Sequence, residues 1–121
     1  MATFTLSVKS QDSTGVTYAL PTNPDLTVRF RQSVVKKTLD GHQLNNYSLD
    51  IISNDLNPIT VGSDTVKDPL SVRVRVSGTL ESKGRLRDIL TSIAASLPQW
   101  ETENVCQGFR PATAPVLNDA L

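Results

Sequence analysis

The sequence holds one cysteine, one histidine and one tryptophan, and aromatic residues make up only 5% of its 121 positions. A single Cys106 excludes an intrachain disulfide framework and leaves no second cysteine at metal-ligand spacing. It is compatible with a reducing compartment, and a small buried hydrophobe is its expected role. The one histidine, His42, sits beside Gly41 with no serine or cysteine pattern near it, so it reads as a solvated turn residue rather than a catalytic base. There is no glycine-rich phosphate loop, paired-carboxylate motif or metal constellation, which predicts no enzyme, no cofactor, no metal and no small-molecule substrate. No apolar run approaches the ~20 residues of a membrane span, and Met1-Ala2 opens without a charged-then-apolar signal; a cytoplasmic start and no membrane partner are expected. Net charge is missing too: 12 basic residues balance 12 acidic ones, so bulk charge does not point to nucleic acid.

What is present is organised around Leu70 to Leu97. Val72, Val74 and Val76 alternate with Arg73, Arg75 and Ser77, the period-two signature of a strand with one dry and one wet face. From Glu81 the period changes: Leu86, Ile89, Leu90, Ile93, Ala94 and Leu97 lie at helical spacing on one apolar stripe. Thr79 or Ser82 can cap the first turn, and Pro98 marks the expected stop. The rest of the chain reads as further strands of the same sheet, giving a single domain over 1–121.

Residues 3–9 place Phe4, Leu6 and Val8 on one face, and Val16 to Leu20 returns after an Asp/Ser/Gly turn as the second arm of an N-terminal hairpin. Pro21 to Pro24 breaks it. Leu26 to Val34 is the next strand, with Leu26, Val28 and Phe30 inward and Thr27, Arg29, Arg31 and Ser33 outward. Lys36 to Gln43, carrying Asp40-Gly41, is long enough to predict a loose hairpin. Asn45 to Ser53 follows, with Tyr47, Leu49 and Ile51 inward and Asn46, Ser48 and Asp50 outward; Ile52 breaks the alternation. Asn54 to Pro58 is read as a turn, Ile59 to Val61 as a short strand and Gly62 to Pro69 as a polar loop. After Pro98, Gln99 to Gln107 is a second, weaker helix carrying Trp100 as a packing anchor, followed by an irregular tail punctuated by Pro111 and Pro115. Tyr18 has no assigned face.

Of the basic residues, Arg29, Arg31, Arg73 and Arg75 fall in predicted strands, with Lys36 and Lys37 just beyond one of them, while the acids fall mostly in turns and helices, with Asp50 the exception. A neutral chain can thus still present a basic sheet face. The competing reading is a solvated face with cross-strand ion pairs. Geometry adds a demand. Six strands span roughly 24–29 Å at ~4.8 Å each, whereas one helix of about 16 residues is ~24 Å long and ~10 Å across. That helix covers less than half of one sheet face. The exposed remainder predicts an obligate dimer whose helices cross the neighbouring sheet.

Three stretches carry a resemblance. Phe4-Thr-Leu-Ser-Val-Lys9 and Val16-Thr-Tyr-Ala-Leu-Pro-Thr-Asn23 form one hairpin; Val28-Arg-Phe-Arg-Gln-Ser33 and Asn46-Tyr-Ser-Leu49 form a central pair; Val72 to Thr79 leads into Arg85-Leu-Arg-Asp-Ile-Leu90. In order and length, nearly end to end, this resembles the coat proteins of the single-stranded RNA bacteriophages (levivirus type). The resemblance implies an α+β fold: an antiparallel sheet of about six strands, N-terminal hairpin first, then two C-terminal helices. It implies an interlocked homodimer with a continuous ten-stranded sheet, each subunit's helices lying over its partner. Dimers would build an icosahedral T=3 shell, located in the virion after assembly in the bacterial cytoplasm. The inner sheet face would bind genomic RNA, including an operator hairpin through which the coat represses replicase translation.

Carried over by position, the RNA-binding residues would be Thr27, Arg29, Arg31, Asn46, Ser48 and Asp50, with Ser71, Arg73 and Arg75 on the last strand. Leu86, Ile89, Leu90, Ile93 and Leu97 would form the dimer interface. Arginines on a flat sheet reach phosphates as charged forks, and Asn and Ser read unpaired bases. Asp50 departs from the pattern, since some members carry a basic residue there, and the 62–69 loop is short. The alternatives are a small dimeric regulator that binds RNA or DNA without building a shell, and a ligand-binding or enzymatic α+β domain.

Overall fold

The computed structural model describes residues 3–102 and 114–118, with the side chains of 101 and 102 left out of the description. Its contacts divide the chain into two compact units, 1–77 and 78–121.

The first unit is an antiparallel sheet in chain order: β1 (Ser7–Gln11), β2 (Gly15–Leu20), β3 (Asn23–Leu39), β4 (His42–Val61) and β5 (Asp64–Thr79), the last of these running on into the second unit. Among the described residues there are five strands, not about six, because the stretches 45–53 and 59–61, expected as two strands, are one continuous strand, β4. The β3–β4 reversal is not a loose loop over 36–43; β3 runs to Leu39, β4 starts at His42, and only Asp40 and Gly41 lie between them. Both have positive φ, 52° and 81°, the left-handed pair that a two-residue hairpin matched to strand twist requires. The expected turn at Asn54–Pro58 is strand, and the polar loop expected at Gly62–Pro69 shrinks to a tight turn at Gly62 (φ 63°) and Ser63 joining β4 to β5, with 64–69 already strand. The N-terminal strand begins at Ser7 rather than Thr3. The longer strands also take in Asp25, Asp55, Asp64 and Asp68, so Asp50 is not the only acid within a strand.

Close approach fixes one glycine. A Cβ on Gly15, opposite Arg31 in the β2–β3 ladder, would run into the carbonyl oxygen of Phe30. The register puts Val16, Phe30 and Ile51 in one row across three strands and Tyr18, Val28 and Ser53 in the next. Directly opposed residues in an antiparallel pair share a face, so this is the apolar face. Tyr18, unassigned from sequence, lies on it, edge-on to Phe30 with ring centroids 5.8 Å apart. Leu6 joins these two rings around a shallow depression.

The second unit holds a 3-10 turn, Leu80–Ser82, and α1, Lys83–Thr102. Neither expected cap forms a side-chain bond to the first-turn backbone; the Thr79 hydroxyl instead donates to Ser82 Oγ at 3.4 Å. Gly78 lets Leu86 pack back on the chain, since a Cβ there would meet Leu86 Cδ1 at 2.7 Å. Pro98 does not stop the helix but lies inside it. The helix is tied beyond that point to residues 114–118: Trp100 Nε1 donates to the Val116 carbonyl (2.7 Å), and Asn118 donates from its backbone to Ser96 Oγ (2.7 Å) and from its side chain to the Ala95 carbonyl (3.0 Å). Gln99 to Thr102, expected in a second helix, therefore belong to α1, and the remainder of that predicted helix with Cys106 and Pro111 lies outside the described residues.

Candidate nucleic-acid interface

The face opposite the apolar one is assembled by register. Arg29 pairs with Thr17 on β2 and with Ile52 on β4; Arg31 pairs with Asp50; Thr27 pairs with Asn54; Ser33 pairs with Ser48 and Val35 with Asn46. Strand alternation then places Thr27, Arg29, Arg31, Asn46, Ser48 and Asp50 together on this face. β5 is fixed to it by side chains. Asn46 Nδ2 donates to Ser77 Oγ at 2.9 Å, Ser48 and Ser77 share a 3.1 Å hydroxyl contact, and Arg75 Nε stands 3.9 Å from Asp50 Oδ1. Arg73 and Ser71, two and four residues before Arg75, follow on the same side. The nine residues expected at the site are thus neighbours on one surface. Ile52, which interrupted the sequence pattern, is on it as well, opposite Arg29.

The four arginines differ in how they are held. Arg29 is engaged: its Nη2 meets Asp12 Oδ2 at 2.7 Å and its Nη1 donates to Thr17 Oγ1 at 3.1 Å. Asp12 is itself fixed in the β1–β2 turn, where Oδ1 accepts from the backbone N–H groups of Thr14 (2.9 Å) and Gly15 (3.0 Å) and from the Thr14 hydroxyl (2.8 Å). Those bonds, the Thr14 backbone first and then its hydroxyl and Arg29, hold the Asp12 carboxyl well below the usual carboxylate range. Arg75 has only the loose approach to Asp50. Arg31 and Arg73 have no ion pair or side-chain hydrogen bond among the described residues, and both are exposed. Asp12 and its latch onto Arg29 were not singled out from sequence; the Asp-x-Thr-Gly-type turn after β1 was the available signal.

The face therefore offers three arginines with free donor capacity beside a row of Asn and Ser groups that both donate and accept. Forked guanidinium groups suit phosphate oxygens, and a flat polar row suits bases that are not paired. Further along the sheet Lys67 Nζ is neutralised by Asp25 at 3.1 Å. Among the described residues no group of three or more His, Cys, Asp or Glu side chains could hold a metal ion.

The apolar residues are unusually bare. Ala19 is the only buried hydrophobic residue among those described, while Val34, Tyr47, Val72 and Val74 on the opposite face are exposed, Val72 to 64%. On α1 the fully buried side chains are Ser92 and Ser96, not the leucine and isoleucine stripe; Ile89, Leu90, Ile93 and Leu97 are about 40% exposed and Leu86 is half-buried.

No protein-family model matches the chain, and no curated protein matches it. Solved structures do. A chain of the virus-like particle of bacteriophage PQ-465 superposes with a TM-score of 0.78 at 20% identity, over 95% of this chain and 96% of that one. The virus-like particle of bacteriophage ESE001 gives 0.70 at 14% identity over 97% and 99%, and that of Beihai levi-like virus 32 gives 0.61 at 13% over 96% and 94%. The chain thus has the α+β fold of virus-like-particle proteins from bacteriophages and a levi-like virus.

Proposed function

We propose that this protein is the coat protein of a single-stranded RNA bacteriophage, a structural subunit that dimerises, assembles into an icosahedral T=3 shell in the host cytoplasm and binds genomic RNA on its arginine-bearing sheet face. The observation that carries the reading is a subunit with the fold of virus-like-particle chains and a single buried hydrophobic residue among those described. A chain of this size normally buries a contiguous core; here the apolar groups are left for another copy.

The sheet edges support the dimer. Of the two outer strands, β1 is five residues long and β5 sixteen. An uncovered edge of that length is a template for another strand. Two β5 edges paired about a twofold axis make ten continuous strands, and Leu86, Ile89, Leu90, Ile93 and Leu97 of each helix are then available to cover the partner's apolar face. The RNA-facing set is Thr27, Arg29, Arg31, Asn46, Ser48, Asp50, Ser71, Arg73 and Arg75, with an operator hairpin, and hence repression of replicase translation, as its specific ligand.

Expression in bacteria followed by gel filtration and electron microscopy tests the assembly: a coat yields particles of megadalton size that contain RNA. A species that stops at a dimer yet binds RNA identifies a regulator without a shell. A monomer whose mass is independent of concentration at micromolar protein overturns the reading.

A further inference from the structure

We propose that Asp50 reads a base on the RNA face, and that the base it selects is an unpaired guanine; this rests on the RNA-binding reading above. The observation is an unanswered acceptor. Asp50 Oδ1 is shut off from solvent and has no hydrogen-bond partner, and its nearest cation, Arg75 Nε, stands at 3.9 Å, beyond hydrogen-bond reach. Asp50 makes no side-chain hydrogen bond among the described residues, although Arg31 lies directly opposite it in the β3–β4 ladder. A buried carboxylate oxygen without a donor is costly, and buried polar groups in folded proteins are almost always satisfied.

Its neighbours cannot relieve it. Asn46 and Ser48, on the same face of the same strand, are already committed to Ser77. Asp50 is therefore the one group among the nine that can only accept, on a surface otherwise rich in donors. Against a phosphate backbone that charge is repulsive, so the fitting ligand group is a donor, and on RNA the donors other than ribose hydroxyls are on base edges. The Watson–Crick edge of guanine presents two adjacent donors, N1–H and the N2 amine, matching the two oxygens of a carboxylate. Adenine and cytosine place a ring acceptor beside their single amine, and uracil flanks its N3–H with two carbonyls; each sets a lone pair against the carboxylate. Both oxygens are needed for that pair and Oδ1 is closed to solvent in the unbound subunit, so the contact requires its neighbour to move. Arg75 is 63% exposed and has no other partner among the described residues, and it swings from Asp50 to the adjoining phosphate, uncovering Oδ1, as the base arrives.

The alternative role is a counterion that merely tempers repulsion between Arg31 and Arg75, and the two roles separate in one experiment. The full-length protein is titrated with hairpins identical except for one loop nucleotide (guanosine, inosine, adenosine, cytidine or uridine), alongside Asp50→Asn with its fold checked by circular dichroism. A base-reading carboxylate gives at least about a fivefold preference for guanosine over the others, inosine included because it lacks the N2 amine, the lower end of what a two-point base contact supplies. In Asp50→Asn that preference collapses. Equal affinity of the wild type for all five loops overturns the inference, and this arm stands even if the variant does not fold. So does a guanosine preference that persists in Asp50→Asn, or a uniform gain in affinity of the variant for every loop, which is the counterion result. Failure of the wild type to bind any hairpin at low salt overturns the RNA-binding reading itself.

Discussion

Arg29 and Asp12, seventeen residues apart, meet at 2.7 Å across the sheet, so the β1–β2 turn is fastened to the arginine face by a side-chain fork. Because Asp12 is held below the ordinary carboxylate range, the folded state takes up its proton less readily than the unfolded chain. Its stabilisation is present above the ordinary value of 3.8 and is lost as pH falls from there toward the depressed folded value. Thermal melts of wild type and Asp12→Asn from pH 7 to pH 2 should show a gap in melting temperature that is open at neutral pH and narrows below about pH 3.8.

The same contact ranks the arginines. Arg31→Ala and Arg73→Ala should each weaken RNA binding with dimers intact, and each should reduce the slope of log affinity against log salt by about 0.7–0.9, one phosphate's worth. Arg29→Ala should move the slope least, since Asp12 already occupies that guanidinium. Salt titrations with one hairpin compare all three. Unfolding of Arg31→Ala and Arg73→Ala alike would mean that these side chains support the sheet rather than face RNA.

Ile89→Asp puts a charge into the exposed apolar stripe of α1, where desolvation on association is prohibitive. Analytical ultracentrifugation should show the dimer abolished and particles absent. A soluble, normally dimeric variant would remove this helix from the interface.

Gly15→Ala and Gly78→Ala should differ in cost. At Gly15 the added methyl group meets the backbone carbonyl of Phe30 at the end of the β2–β3 ladder next to the β1–β2 turn, which cannot yield without breaking the pairing there; about 1–3 kcal/mol of destabilisation is expected. At Gly78 the obstacle is the far end of the Leu86 side chain, which can turn aside, so the loss should be smaller. Urea unfolding of the two variants measures the contrast.

Face parity was legible because alternation survives any change of strand length. Every outward residue from Thr27 to Asp50 keeps its side whether β3 has nine residues or seventeen. Strand number was not, because prolines were read as breakers. Pro58 lies beyond Asn54, the last β4 residue paired with β3, and Pro69 lies in β5, an outer strand; in both places a missing N–H leaves a β-ladder little disturbed. Pro98 misled for a different reason. An interior helical proline costs roughly 3 kcal/mol, but the bonds from Trp100 and Asn118 come from residues sixteen and twenty-two positions away, where no local pattern reports them. The buried face of α1 was likewise hidden: hydrophobicity points to Ile89 and Leu90, whereas the enclosed side chains are Ser92 and Ser96, and the Ser96 hydroxyl both donates to the Ser92 carbonyl at 2.7 Å and accepts from Asn118. The Asp12 latch was out of reach because its partner is on another strand.

The scarcity of buried hydrocarbon, Ala19 alone among the described residues, has a thermodynamic corollary. An isolated copy has little of the water-expelling drive that normally holds a chain shut, so in the proposed dimer most of the resistance to melting comes from mass action. The unfolding temperature should then climb with protein concentration, and a freshly made chain should become rigid only when it meets another, so that the cell's supply of subunits sets the moment at which any of them finishes folding.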